Sequence, residues 1–147
     1  MKTFAEVSHS LGDDWTELPD LGGFFHDHVA KAAIIAIYGP NLLRLNPGFI
    51  EDMWSFFPWM MVLFMKIPRW MLPSVYRTRE RLLQGIMKYY QHAEENYNPQ
   101  SPDEQWEEQW GSRFTRTKHR EFWPGFNAMD AKARAAEDLS FLWAYVP

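Results

Sequence analysis

Two histidines flanking an aspartate, His26-Asp27-His28, are the first residues of this chain to suggest metal chemistry. Imidazole and carboxylate both ligate zinc, but the segment reads as helix. Residues two apart on a helix point to different faces, whereas ligand pairs sit three or four apart. His92 and Glu95 have a suitable spacing, yet no third ligand accompanies them, and His9 and His119 stand alone. All five histidines therefore read as structural or solvent-facing, and no metal site is assigned. Nucleophilic catalysis has no carrier either: there is no cysteine and no Gly-x-Ser-x-Gly elbow. The glycines form neither a P-loop nor a dinucleotide fingerprint. The pairs Asp13/Asp14, Glu94/Glu95 and Glu107/Glu108 are adjacent, so on a helix they diverge and read as solvated faces.

One cluster has a nucleic-acid flavour. Arg113, Arg116, Lys118, His119 and Arg120 lie among Phe114, Phe122 and Trp123, and basic residues interleaved with aromatics can follow a single strand. Asp103, Glu104, Glu107 and Glu108 precede the cluster and would repel phosphates. An acidic first turn and a basic last turn on one helix match the helix dipole, which accounts for the pattern without a nucleic-acid partner.

The elements that must position these residues are all helical. A helix is expected from Pro19 or Asp20 with Leu21, Phe25, Val29, Ala32 and Ala36 on one face, closed by Gly39-Pro40. Asn46-Pro47 reads as an N-cap with a first-turn proline, for a helix carrying Ile50, Met53, Trp54 and Phe57 that Pro58 ends or kinks. Met60 to Met65 is uniformly apolar, so periodicity does not decide between helix and extended chain. Pro68 and Pro73 bracket a turn, and a long helix follows from Ser74 to about Asn96 with Val75, Leu82, Leu83, Ile86, Tyr90 and Ala93 inward. Ser101-Pro-Asp-Glu104 is a capping box, expected to open a helix with Trp106, Trp110 and Phe114 stacked at four-residue spacing and broken at Phe122-Trp-Pro-Gly125. Asn127 would cap a last helix from Met129 to Ala144, with Met129, Ala133, Ala136, Leu139 and Trp143 on its core face. No strand alternation or repeat is present.

The chain has 147 residues and a net charge of -4, which argues against a general nucleic-acid or anionic-membrane binder. Eight Trp, eight Met and 17% aromatic content are more than a domain of this size readily buries. Either aromatic surface faces a missing partner, or the chain binds something apolar. The last helix grows more apolar toward Leu142, Trp143 and Ala144, as a buried helix does, so the chain is expected to be a piece of something larger. No signal peptide is visible. The apolar run Phe56 to Ile67 is too short to span a bilayer, which needs about 20 residues.

Three stretches resemble a known family. They are Phe25-His-Asp-His-Val-Ala-Lys-Ala-Ala through Tyr38-Gly-Pro-Asn-Leu-Leu-Arg-Leu-Asn-Pro47 to Phe49-Ile-Glu-Asp-Met-Trp54; Pro68-Arg-Trp-Met-Leu-Pro73 with Tyr76-Arg-Thr-Arg-Glu-Arg-Leu-Leu83; and Trp110-Gly-Ser-Arg-Phe114 leading to Met129-Asp-Ala-Lys-Ala-Arg-Ala-Ala-Glu-Asp-Leu139 and Phe141-Leu-Trp-Ala144. In this order and spacing they resemble the middle of fungal cytochrome P450 monooxygenases, in the branch similar to sterol 7α-hydroxylase and prostacyclin synthase. The resemblance runs from about Trp15 to Ala144 within one helical fragment, residues 1–147.

The resemblance implies an all-α piece of a cytochrome P450 fold that lacks the haem-binding core. Leu21 to Tyr38 would lie ahead of the substrate-access region, and Ser74 to Asn96 with the helix from Ser101 would form lid helices. Met129 to Ala144 would be the first half of the helix crossing the haem's distal face, with Leu139, Leu142 and Trp143 in the substrate-pocket wall. The parent would carry haem, take electrons from an NADPH-dependent reductase, sit at the endoplasmic reticulum membrane and hydroxylate a sterol-like or fatty-acid-like molecule. This chain has neither the Cys thiolate that ligates the haem iron nor a Glu with Arg three residues on. It is therefore expected to bind no haem and to be inactive alone. The rival reading is a helical module holding a lipid or a partner protein on its Trp/Met-rich surface.

Overall fold

A computed structural model describes residues 20–24, 28–98, 105–125 and 129–146. Its centre is one helix, α6 (Pro73–Glu95), after five shorter ones: α1 (Leu21–Phe24), α2 (Ala30–Tyr38), α3 (Asn41–Leu45), α4 (Phe49–Phe56) and α5 (Met60–Phe64). A two-stranded hairpin, β1 (Trp106–Glu107) and β2 (Gly111–Ser112), follows. Then come α7 (Arg113–Thr117), a π-helical turn (Lys118–Phe122), a 3-10 turn (Trp123–Gly125) and α8 (Ala131–Tyr145). The mostly helical class agrees with the sequence reading; the hairpin does not.

Pro73 supplies the fixed φ of the first turn of α6. Val75, Leu82, Leu83, Gly85, Ile86, Tyr89 and Ala93 form its buried stripe, against which α3, α4 and α8 pack. Tyr90, expected among the core residues, is partly buried beside this stripe and turns toward α8.

Several boundaries and faces differ from the expectation. In α2 the buried residues are Ala30, Ile34 and Tyr38, not the face of Ala32 and Ala36. Ile34 and Tyr38 have far more apolar area to remove from water than two alanines, and they set the rotation. Gly39, at φ 78, ends the helix as expected. Asn46 does not cap α4. Its amide instead donates to Leu42 O (2.8 Å) and Gly85 O (3.0 Å), while left-handed Gly48 leads into the helix. Pro58 converts the end of α4 into a 3-10 turn (Phe57–Trp59), and the undecided segment is helix, α5.

The largest correction lies at residues 106–112. Trp106 pairs with Ser112 and Glu107 with Gly111 in an antiparallel ladder, where a helix was expected. Gly111 explains it: its φ is 71, and a Cβ there would lie 2.6 Å from Ile37 O and press on the backbone of Tyr38 and Gly39. A residue pinned in that conformation ends any helix. Trp110 is consequently buried (1% exposed) while Trp106 and Phe114 are exposed, so the three do not stack. The capping box at 101–104 and Asn127 lie outside the described residues.

Helix α8 is capped by Asp130, whose Oδ1 accepts from Ala133 N at 2.7 Å. It buries Ala135, Asp138, Leu139 and Leu142; of the expected face Leu139 is buried and Ala136 packs partly buried against the core, while Trp143 is exposed. Its end is not buried all round, since Trp143 and Tyr145 are exposed. Large apolar side chains also remain exposed along α5 and the turn after it: Met61, Met65, Trp70 and Met71. Among the described residues no helix is long and apolar enough to cross a membrane.

Candidate functional site

The polar centre of the molecule is Asp138, a carboxylate with no exposed surface in the middle of α8. Three side chains from two elements reach it. Lys118 Nζ from the π turn donates to Oδ1 at 2.6 Å. His119 Nε2 from the same turn lies 2.8 Å from Oδ2, and Tyr90 OH from α6 donates to Oδ2 at 2.6 Å. An ionised carboxylate only accepts, so Nε2 is the protonated ring nitrogen. Lys118 also pairs with Glu137. The π turn brings Lys118 and His119, neighbours in sequence, onto one carboxylate.

Aromatic rings enclose this centre. His119 stacks on Trp110 (centroids 5.2 Å apart) and packs on Tyr90 (4.4 Å), and Tyr89 meets Trp110 and Tyr38 edge-on. Burial alone would push the Asp138 carboxyl up. The hydrogen bonds and charges of His119 and Lys118 outweigh it and hold the carboxyl below its ordinary value. The Tyr38, Tyr89 and Tyr90 phenols are pushed up, first by burial and then by the Asp138 charge. Asp138 is satisfied by Lys118, His119 and Tyr90, whereas the Tyr89 hydroxyl and the Trp110 indole N–H around it are buried without a hydrogen-bond partner among the described residues. The cluster presents no activated nucleophile.

Beside it, a cavity of about 620 Å³ opens between α7, the π turn and α8, with Phe114, Phe122 and Trp123 as walls and Arg113, Lys118 and Glu137 as its charged groups. Its size falls within the range of small-molecule sites. Lys118 Nζ sits at its edge, 5.4 to 6.0 Å from the ring centroids of Phe141, Trp123 and Phe114.

The residues proposed for a pocket wall are divided by the structure. Leu139 and Leu142 lie in the core at 1% and 0% exposure, and Trp143 is 38% exposed; none of them lines the cavity. The basic run is not a free strip. Arg116 pairs with Glu107 at 3.7 Å, Lys118 and His119 are buried on Asp138, and Arg120 pairs with Glu94 at 2.8 Å while lying over Tyr97. The helix-dipole explanation of that run also fails, because Glu107 and Glu108 sit in the hairpin and not in a helical first turn. His26 and Asp27 lie outside the described residues. His28 packs on Phe24, and His92 Nδ1 faces the Asn96 amide at 3.4 Å. Among the described residues no group of three or more His, Cys, Asp or Glu is placed to hold a metal.

The sequence reading missed Asp138. The available signal was a carboxylate inside an otherwise apolar stripe, between Ala135 and Leu139-Leu142, with Lys118-His119 upstream as a cation and a ring N–H donor. The donors present do not fit a haem-thiolate centre. The chain has no cysteine, and the ring nitrogen of its buried His119 is committed to Asp138.

The chain is similar to segments of three fungal proteins. It is 41% identical over 133 residues to the cytochrome P450 monooxygenase fsoE of Humicola fuscoatra, covering 89% of this chain and 23% of that protein. It is 37% identical over 140 residues to the cytochrome P450 monooxygenase efuG of Hormonema carpetanum, covering 94% and 25%. It is 40% identical over 106 residues to the cytochrome P450 monooxygenase calL of Penicillium decumbens, covering 70% and 20%. The chain thus spans a quarter or less of the length of these relatives. No protein-family model matches it, and no solved structure matches it.

Proposed function

We propose that the chain is the middle segment of a fungal cytochrome P450 monooxygenase and supplies lid helices and pocket wall, without the haem-binding core. The supporting observation is the alignment of nearly the whole chain, at 37–41% identity, with a quarter or less of two such enzymes. In this reading α6 and α7 belong to the lid, and α8 is the first half of the helix across the haem's distal face. Trp143, exposed near the end of α8, provides the wall surface, with Leu139 and Leu142 seating the helix behind it. The parent belongs to the branch similar to sterol 7α-hydroxylase and prostacyclin synthase. It receives electrons from an NADPH-dependent reductase and hydroxylates a sterol-like or fatty-acid-like molecule, the haem supplying oxygen activation.

Alone, the chain is inactive and holds no haem. Purified chain mixed with hemin, reduced and exposed to carbon monoxide is expected to give no thiolate-type shift of the Soret band. A stoichiometric shift would overturn the reading.

A second reading, a helical module for a lipid or a partner protein, draws on Met61, Met65, Trp70 and Met71, which are 55% to 79% exposed. It requires the chain to bind vesicles or a partner saturably while remaining monodisperse.

A further inference from the structure

The Asp138 network borders the aromatic cavity, which Lys118 and Glu137 line, but Asp138, His119 and Tyr90 line neither the cavity nor the proposed wall. Helix α8 would bury well without it. Ala135, Leu139 and Leu142 already give it an apolar seam, and a leucine at position 138 would extend that seam. Replacing a buried ion cluster by apolar groups of similar volume is often neutral or stabilising, so stability alone does not account for a carboxylate here. Direction does. Apolar seams allow a helix to settle in neighbouring grooves, because dispersion and burial carry little orientation. Asp138 has donors on two sides: Tyr90 from α6, and Lys118 and His119 from the π turn. Turning α8 by one residue, about 100°, would bring Leu139 to those donors and leave a buried imidazole and phenol without their partner, or would exchange Asp138 for Glu137, a longer carboxylate already paired with Lys118.

We infer that Asp138 is a positioning residue whose three bonds select one rotational and axial setting of α8 against α6, and thereby fix the direction in which Trp143 is presented. What that setting serves rests on the monooxygenase reading; the setting itself does not.

The full chain contains no cysteine, so two introduced thiols are unique. Nitroxide labels at Gln91→Cys on α6 and Ser140→Cys on α8, both exposed positions, report the setting through a dipolar distance measurement. The chain with Asp138 is expected to show one distance. Asp138→Leu is expected to keep its helical circular dichroism and to gain a second population, displaced by up to about 5.4 Å for a one-turn slide. A folded Asp138→Leu with the single original distance overturns the inference. If Asp138→Leu does not fold, Lys118→Met/His119→Phe/Asp138→Leu removes the stranded donors as well. A second distance in that variant supports the inference, and one unchanged distance overturns it. Failure of both variants to fold also overturns it, since the carboxylate would then be required for folding and not for the setting of one helix. The readout needs no haem, substrate or reductase, so its failure is distinct from failure of the monooxygenase reading.

Discussion

Lys118 Nζ lies 2.6 Å from Asp138 Oδ1, and their side chains are 10% and 1% exposed. Removing one partner of such a pair strands the other charge in a medium that cannot solvate it, at a cost of about 3–5 kcal/mol. Lys118→Met is expected to lower the free energy of unfolding by that order in a urea titration. Arg44 and Glu108 form a slightly shorter pair at 2.5 Å, but both are more than half exposed. Arg44→Ala is therefore expected to change stability by no more than about 0.5 kcal/mol.

Acid should act on the same carboxylate. Asp138 is held below its ordinary value by His119 and Lys118 despite burial. Its stabilisation is present above the unfolded-state value of about 3.9, and is lost as pH falls through the lower folded-state value. Urea midpoints measured from pH 6 downward should fall more steeply for the native chain than for Asp138→Asn. Parallel curves would remove Asp138 as the source.

The alkaline limb has the opposite sign. Tyr38, Tyr89 and Tyr90 have phenols pushed above their ordinary value, so the stability they contribute is lost as pH rises past the unfolded value of about 10. Of the six tyrosines in the chain, these three are expected to ionise only as it unfolds. A biphasic tyrosinate absorbance titration, its second step coincident with loss of helical signal, would show this.

Gly111→Ala tests the hairpin. With φ at 71 and a Cβ position pressing on the backbone of residues 37 to 39, the substitution adds a clash to a conformational cost of about 1–2 kcal/mol. A drop in Tm of at least about 4 °C is expected. An unchanged Tm would mean that the β2 backbone is free to move off α2.

The apolar surface along α5 and the turn after it gives a converse test. Trp70→Ser/Met71→Ser removes side chains that are 79% and 55% exposed. It should lower fluorescence of a bound apolar dye while changing stability by about 0.5 kcal/mol or less.

Much of the helical frame was legible because its signals are local. Pro73 and the Val75–Ala93 stripe gave α6, Gly39-Pro40 gave the end of α2, and the periodic apolar positions between Met129 and Ala144 gave α8. What was not legible depends on distant partners. The hairpin at 106–112 exists because Gly111 meets the backbone of α2, and a four-residue aromatic spacing carries no trace of that. The rotation of α8 is likewise set from outside, by Tyr90, Lys118 and His119 converging on Asp138, so its alanine-rich face misled. The short basic run looked like one surface strip, because sequence does not reveal that a π turn sends Lys118 and His119 inward.

The monooxygenase reading is tested most directly by sequencing the mature transcript that encodes this chain. The result expected is a reading frame in which Val146 is followed by the rest of the distal helix, then by a Glu-x-x-Arg helix and a cysteine loop. A mature transcript that stops after Pro147, with no such coding sequence downstream, would contradict it.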